Sequence, residues 1–251
     1  MVVPVMADGQ QVRIEPGGRR VRVMLAGEMV ADTVEPLMVW ETPYYPTYFF
    51  PEADIRTEFL VESGETRKTR LGETTQFSVK VNDVEGAAYA YPDIGRDELA
   101  GHYAFVWSTM DHWFEEDQEV FVHARDPYTR VDILPSGRRV RVEIDGVTVA
   151  DSTNTSFLLE TNLPTRYYFP KTDVRMDLLT PTDNATHCPY KGTARYWSLT
   201  VNGETYKDVL WGYDTPLPES QKIMGLVSFY NEKANIYVDE VLQERPKTKF
   251  S

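Results

Sequence analysis

Gly18-Arg19-Arg20-Val21-Arg22-Val23 recurs as Gly137-Arg138-Arg139-Val140-Arg141-Val142, and this recurrence decides how the chain is organised. At a constant offset of 119 (137 minus 18), Gly18 to Leu60 lies over Gly137 to Leu179 without a gap, and 18 of 43 positions agree. Agreement over so long an ungapped stretch marks an internal repeat. Val30-Ala31-Asp32 returns as Val149-Ala150-Asp151, Glu41-Thr42 as Glu160-Thr161, and Tyr48, Phe50 and Pro51 as Tyr167, Phe169 and Pro170. Further on, Phe77 to Asn82 lies over Trp197 to Asn202 at an offset of 120, and Gly101 to Phe105 over Gly225 to Phe229 at 124.

Two domains of ordinary size follow from a repeat of this length. The turn-forming stretch Leu134-Pro135-Ser136-Gly137 marks the expected boundary. The expected division is an amino-terminal extension over 1–17, a first domain over 18–134 and a second over 135–251.

Within each copy the period is that of strands. Val21, Val23 and Leu25 alternate with Arg20, Arg22 and Met24, which puts the valines inward and the arginines in water. Asp145-Gly146 and Asn202-Gly203 are two-residue hairpin signals. The only helices expected are short, around Asp97 to His102 and Glu219 to Met224. The sequence predicts a mostly β protein made of two tandem copies of a compact antiparallel domain.

Composition excludes several classes of function. With 39 acidic against 26 basic residues the net charge is -13, which repels nucleic acid and anionic membrane surfaces, so neither is an expected partner. Met1 to Gln11 lacks a basic start and a long apolar core, and reads as neither signal peptide nor anchor. The single cysteine, Cys188, excludes an intramolecular disulfide and suits a reducing cytoplasm. The four histidines, at 102, 112, 123 and 187, show no metal-binding spacing, and neither a phosphate loop nor a nucleophile elbow occurs. No metal and no cofactor are expected.

The most chemically equipped run is Thr186-His187-Cys188-Pro189-Tyr190-Lys191-Gly192, where a lysine stands near a thiol whose ionisation it would favour. His187 and Cys188 are adjacent and point to opposite faces of extended chain, so His187 is poorly placed as a base for the thiol. The corresponding run of the first copy, Lys68-Thr69-Arg70-Leu71-Gly72, holds neither Cys nor His and keeps Arg70 as a looser match for the basic residue. Glu41 and Glu160 hold the same place among apolar neighbours, and such a carboxylate needs a partner. That partner is either Arg56 or Arg175, or a pocket. Trp211 and Tyr213 share one strand face, as do Tyr89 and Tyr91 at an offset of 122, and Gly212 leaves room for something to approach.

Leu159-Glu160, Tyr167-Tyr168-Phe169-Pro170, Cys188-Pro189, Lys191-Gly192, Trp211 with Tyr213, and Gly225 to Tyr230 together resemble the family catalogued as domain of unknown function 427. The first copy, closing on Asp111-His112-Trp113 and His123 to Asp132, resembles the amino-terminal half of the family's tandem members. The resemblance implies a small Mss4-like, β-tent architecture shared with methionine sulfoxide reductases and zinc-bearing modules. This chain lacks the cysteine pairs of the zinc-bearing members. The family also carries a nucleotidyltransferase label, for which neither a phosphate loop nor paired acidic metal ligands stand here.

Carried over by position, the family's recurrent polar residues are Glu160, Cys188, Lys191, Trp211 and Tyr213, with Glu41, Tyr89, Tyr91 and Arg70 in the first copy. The expected function is the binding of a small organic ligand in the second domain by Glu160, Tyr168, Tyr190, Lys191, Trp211 and Tyr213. Glu41, Arg70 and Tyr91 are the remnant in the first. The rival reading is an enzyme with Cys188 as thiol nucleophile or redox thiol, Lys191 assisting and Glu160 as acid or base. A plain structural role for all of these residues is the third.

Overall fold

The computed structural model describes residues 13–92 and 97–248. The reading of Met1 to Gln11 as neither signal nor anchor lies outside them. The chain divides into two units, 1–126 and 127–251.

The first unit holds β1 (Ile14–Pro16), β2 (Val21–Leu25), β3 (Glu28–Thr33), β4 (Leu37–Val39), β5 (Thr47–Pro51), β6 (Leu60–Lys68), β7 (Glu73–Val81), β8 (Val84–Ala90), β9 (His102–Phe105), β10 (His112–Glu115) and β11 (Gln118–Glu119). The second holds β12 (Val131–Ser136), β13 (Val140–Ile144), β14 (Val147–Ser152), β15 (Thr155–Glu160), β16 (Arg166–Phe169), β17 (Leu179–Cys188), β18 (Gly192–Val201), β19 (Glu204–Gly212), β20 (Val227–Phe229), β21 (Asn235–Val238) and β22 (Val241–Leu242). Each unit has one seven-stranded and one four-stranded antiparallel sheet. The seven-stranded orders, β1-β4-β5-β9-β8-β7-β6 and β12-β15-β16-β20-β19-β18-β17, are the same arrangement twice.

The expected short helices are single-turn 3-10 elements at Asp97–Leu99 and a longer 3-10 stretch at Pro218–Ile223. Among the described residues no helix is long and apolar enough to cross a membrane.

The main core of each unit lies between its two sheets. In the second unit, Val140, Val142 and Ile144 of β13 meet Phe169, Leu199, Leu210, Val227 and Phe229 of the larger sheet, all buried. In the first, Val21, Val23 and Leu25 meet Phe50, Val79, Ala88 and Phe105 in the same way. The intervening arginines lie on the outer face of the smaller sheet and pair with acidic neighbours, Arg20 and Arg139 more exposed than Arg22 and Arg141. Arg20 bonds Asp32 at 2.5 Å, and Arg139 bonds Asp151 at 2.5 Å, the same ion pair one repeat later. Ala26-Gly27, Asp145-Gly146 and Asn202-Gly203 have positive φ at both turn positions, the geometry that matches the twist of a tight hairpin.

The units meet earlier than the expected turn. Leu134 and Pro135 are inside β12, which pairs with β15 from Val131 opposite Glu160 to Ser136 opposite Thr155. In the first unit Pro16 sits opposite Leu37 in the same way, so the stretch expected as an extension contributes strand β1. Both prolines lie on the edge strand of their sheet, where a missing amide hydrogen is tolerated, and so resemble a turn in sequence.

Candidate functional site

The seven-stranded sheet of the second unit has a second face, turned away from β13. Ile133, Leu158, Tyr168, Ala194, Tyr196, Trp211, Tyr213 and Ile223 form a separate cluster there. Strand alternation fixes the membership. Leu158 and Glu160 share a face on β15, and Trp211 and Tyr213 share one at the end of β19.

Residues 214–226 run as a strap along this face. Leu217 N donates to Lys191 O at 3.2 Å. Ser220 Oγ donates to Tyr190 O at 3.1 Å, Lys222 Nζ to Ile133 O at 3.3 Å, and Gly225 N to Tyr213 O at 3.0 Å. Ile223 is carried into the cluster and fully covered. The strap thereby clamps the turn between β17 and β18, which bears Tyr190 and Lys191.

Lys191 Nζ donates to Glu160 Oε2 at 2.5 Å, and both side chains are about nine-tenths buried (10% and 9% exposed). Trp211 Nε1 donates to Tyr168 Oη at 3.1 Å across Ser228, which stands opposite both in register. Ser228 is fully buried, and its Oγ has no hydrogen-bond partner among the described residues. Burial pushes the Tyr168 phenol well above the ordinary range, and its neighbours Glu160 and Cys188 add to this. Tyr213 is raised for the same first reason, with Tyr168 and Cys188 adding to it. Both phenols are therefore held protonated.

Cys188 is half-buried at the end of β17, within electrostatic reach of Tyr168 and Tyr213. Its thiol has no hydrogen-bond partner among the described residues. His187 is exposed on the other side of the strand and bonds Thr193 Oγ1 at 3.0 Å. Tyr190 is half-buried and anchors the strap through its carbonyl.

Beside these lies a group not singled out in the sequence. Arg166 is buried and forms a bidentate pair with Glu232 (2.7 and 2.8 Å), while its guanidinium stands over the rings of Trp211 (5.5 Å) and Tyr230 (5.7 Å). Burial alone would raise the Glu232 carboxyl, yet hydrogen bonds from Arg166 and Thr248 hold it below the usual range. Tyr230 and Trp211 rings lie 4.4 Å apart. The signal was available: Arg166 is two residues before Tyr168 on one strand, where the first copy has Thr47 before Phe49.

Neither Arg56 nor Arg175 reaches the repeated glutamates. Arg56 pairs with Glu58 and Glu28, and Arg175 with Asp177. Their amides are bound to Val30 and Val149, so both lie against the four-stranded sheets, on the opposite side from the carboxylates. The space beside Gly212 is filled by the chain itself: a Cβ there would come within 2.6 Å of Leu226 O.

In the first unit Glu41 is bonded by phenols. Tyr91 Oη donates to Glu41 Oε1 at 2.5 Å, and Tyr89 Oη donates to Oε2. Thr69 Oγ1 and Tyr91 Oη are 2.8 Å apart. Arg70 is exposed on the turn. Counted back from Gly72 and Gly192, the position of Lys191 falls on Leu71, which packs against the cluster of Val39, Phe49, Tyr91, Leu99 and Ala104.

The family model described as Domain of unknown function (DUF427) matches the chain twice, over residues 13–116 and 132–240. The chain belongs to this family. The two DUF427 matches fall one in each structural unit, and each includes its repeated glutamate. No curated protein matches the sequence. Within this DUF427 pair the framework is shared, while the polar groups of the outer face differ. Tyr168, Trp211, Ser228 and Lys191 stand where the first repeat has Phe49, Tyr89, Ala104 and Leu71.

Proposed function

We propose that the protein is a small-molecule binding module whose second repeat holds an organic ligand at the outer sheet face, beside the strap. The reading rests on one observation, the Glu160–Lys191 pair taken out of water, with Tyr168 and Tyr213 within electrostatic reach of Glu160. A buried ion pair contributes little net stability compared with well-packed apolar side chains, and the first repeat builds the same framework with Leu71 at that point. The pair is thus better explained by a task than by the fold.

Glu160 fixes one of the three hydrogens of the Lys191 ammonium, which leaves donors for an acceptor group on a ligand. Aromatic walls from Trp211 and the half-buried Tyr230 would take a flat apolar body, with Cys188 and Tyr190 at the rim. The ligand class is an aromatic or unsaturated molecule bearing a carboxylate, phosphate or carbonyl. A reducing cytoplasm, where a lone thiol persists, suits this reading.

The test is a thermal-shift and calorimetric titration with aromatic carboxylates and phosphates against the matching neutral amides. Binding by the anionic series, weakened at least tenfold in Lys191→Met and in Trp211→Ala, supports the proposal. Absence of any shift, or equal binding by both variants, overturns it. In the thiol-enzyme reading Lys191 would serve Cys188, whereas its ammonium is bonded to Glu160. Retention of ligand binding in Cys188→Ser separates the two readings.

A further inference from the structure

The two repeats solve the same electrostatic problem differently, and the difference points to a ligand for the first. Glu41 and Glu160 are one repeat apart, 119 positions (160 minus 41). In the second unit the carboxylate receives an ammonium from the chain's own Lys191. In the first, two phenols donate to it, and among the described residues no cation pairs with Glu41. Two donors occupy about half of the four lone-pair sites of a carboxylate, so acceptor capacity is left over. Among the described residues no ammonium or guanidinium is bonded to it, so this capacity is open to a positively charged donor.

The surroundings suit a cation. Phe49, Tyr89 and Tyr91 form a ring cluster, with centroids 5.7 Å apart for Phe49 and Tyr89, 5.9 Å for Phe49 and Tyr91, and 6.2 Å for the two tyrosines. Aromatic rings around a carboxylate attract an ammonium by their quadrupoles as well as by its charge. Glu41 and Tyr89 are each partly exposed. Leu71, aliphatic, stands where the stem of Lys191 stands in the second repeat and offers an alkyl chain an apolar neighbour.

We propose that the first repeat binds a small primary alkylammonium at Glu41, in the position that Lys191 Nζ takes against Glu160 in the second. Lys191 is in effect a tethered copy of that ligand. The ligand donates to the free lone pairs of Glu41 and lays its alkyl stem by the half-buried Leu71. The site lies in the first unit and does not depend on the function proposed for the second.

The experiment titrates the full chain with n-butylamine, protonated at neutral pH, and with 1-butanol, followed by calorimetry and by amide chemical shifts. Butylammonium is expected to bind in the millimolar range, at concentrations up to about 10 mM, and butanol at least tenfold more weakly. Glu41→Gln, which keeps the size but removes the charge and one of the two acceptor oxygens, should lose at least tenfold in butylammonium affinity. Leu71→Lys should abolish binding by supplying the ammonium from within the chain. Equal binding of butanol, no binding of butylammonium by the wild-type protein, or full binding by a folded Glu41→Gln overturns the proposal. The wild-type comparison of amine with alcohol decides the matter even where a variant fails to fold.

Discussion

Lys191 Nζ lies 2.5 Å from Glu160 Oε2, and both groups are almost wholly withdrawn from water. Removing one partner leaves the other charge buried alone. Lys191→Met should therefore destabilise the second unit by about 3 kcal/mol or more, and Lys191→Met with Glu160→Leu should recover most of that loss. Urea unfolding of the single and double variants measures both. An unchanged midpoint in Lys191→Met would show that the pair is solvated.

Arg166 and Glu232 give the second unit an acid-sensitive contact. The Glu232 carboxyl is held below its usual range, so its contribution is complete above the unfolded glutamate value of about 4.3 and disappears as pH falls through the lower folded value. At neutral pH Glu232→Gln should cost about 3 kcal/mol, because Arg166 is left buried without its counter-charge. The gap between variant and wild type should narrow as the pH approaches 3. Thermal unfolding from pH 7 to 3 checks this, and a gap that stays constant would contradict it.

Tyr168→Phe copies the first repeat, which has Phe49 at this position. It removes the acceptor of Trp211 Nε1 in a closed environment, at a cost of about 1–2 kcal/mol. Chemical denaturation gives the size of the effect.

Gly212→Ala should destabilise by about 1–3 kcal/mol, since the added Cβ would meet Leu226 O at 2.6 Å and the lead-in to β20 must move. Gly212 is not in the left-handed region, so the effect is steric alone. A neutral result would mean that the strap shifts freely, and amide exchange along 214–226 would then be fast.

The repeat, the strands and the hairpins were legible because each is a local or periodic property. Val21, Val23 and Leu25 announce a half-buried strand by alternation, and Asn202-Gly203 announces its turn by the backbone angles it tolerates. Pro135 was misleading for the same reason, since a proline reads alike in a turn and on a sheet edge. The site was legible only as a list of members. Of the residues expected together, Tyr168, Trp211 and Tyr213 lie in one buried cluster, and Glu160 and Lys191 pair with each other.

By itself, then, the sequence determined that the chain is one β domain written twice, and which polar residues distinguish the second copy. Tertiary structure alone decided the pairings. Glu160 took Lys191 and not Arg175, Glu41 took Tyr89 and Tyr91, and Arg166 found Glu232 sixty-six positions away (232 minus 166). The physical reason is that a buried charge goes to whichever partner the sheet order and the strap bring within hydrogen-bond reach, and that proximity is set by strand crossings over long stretches of chain.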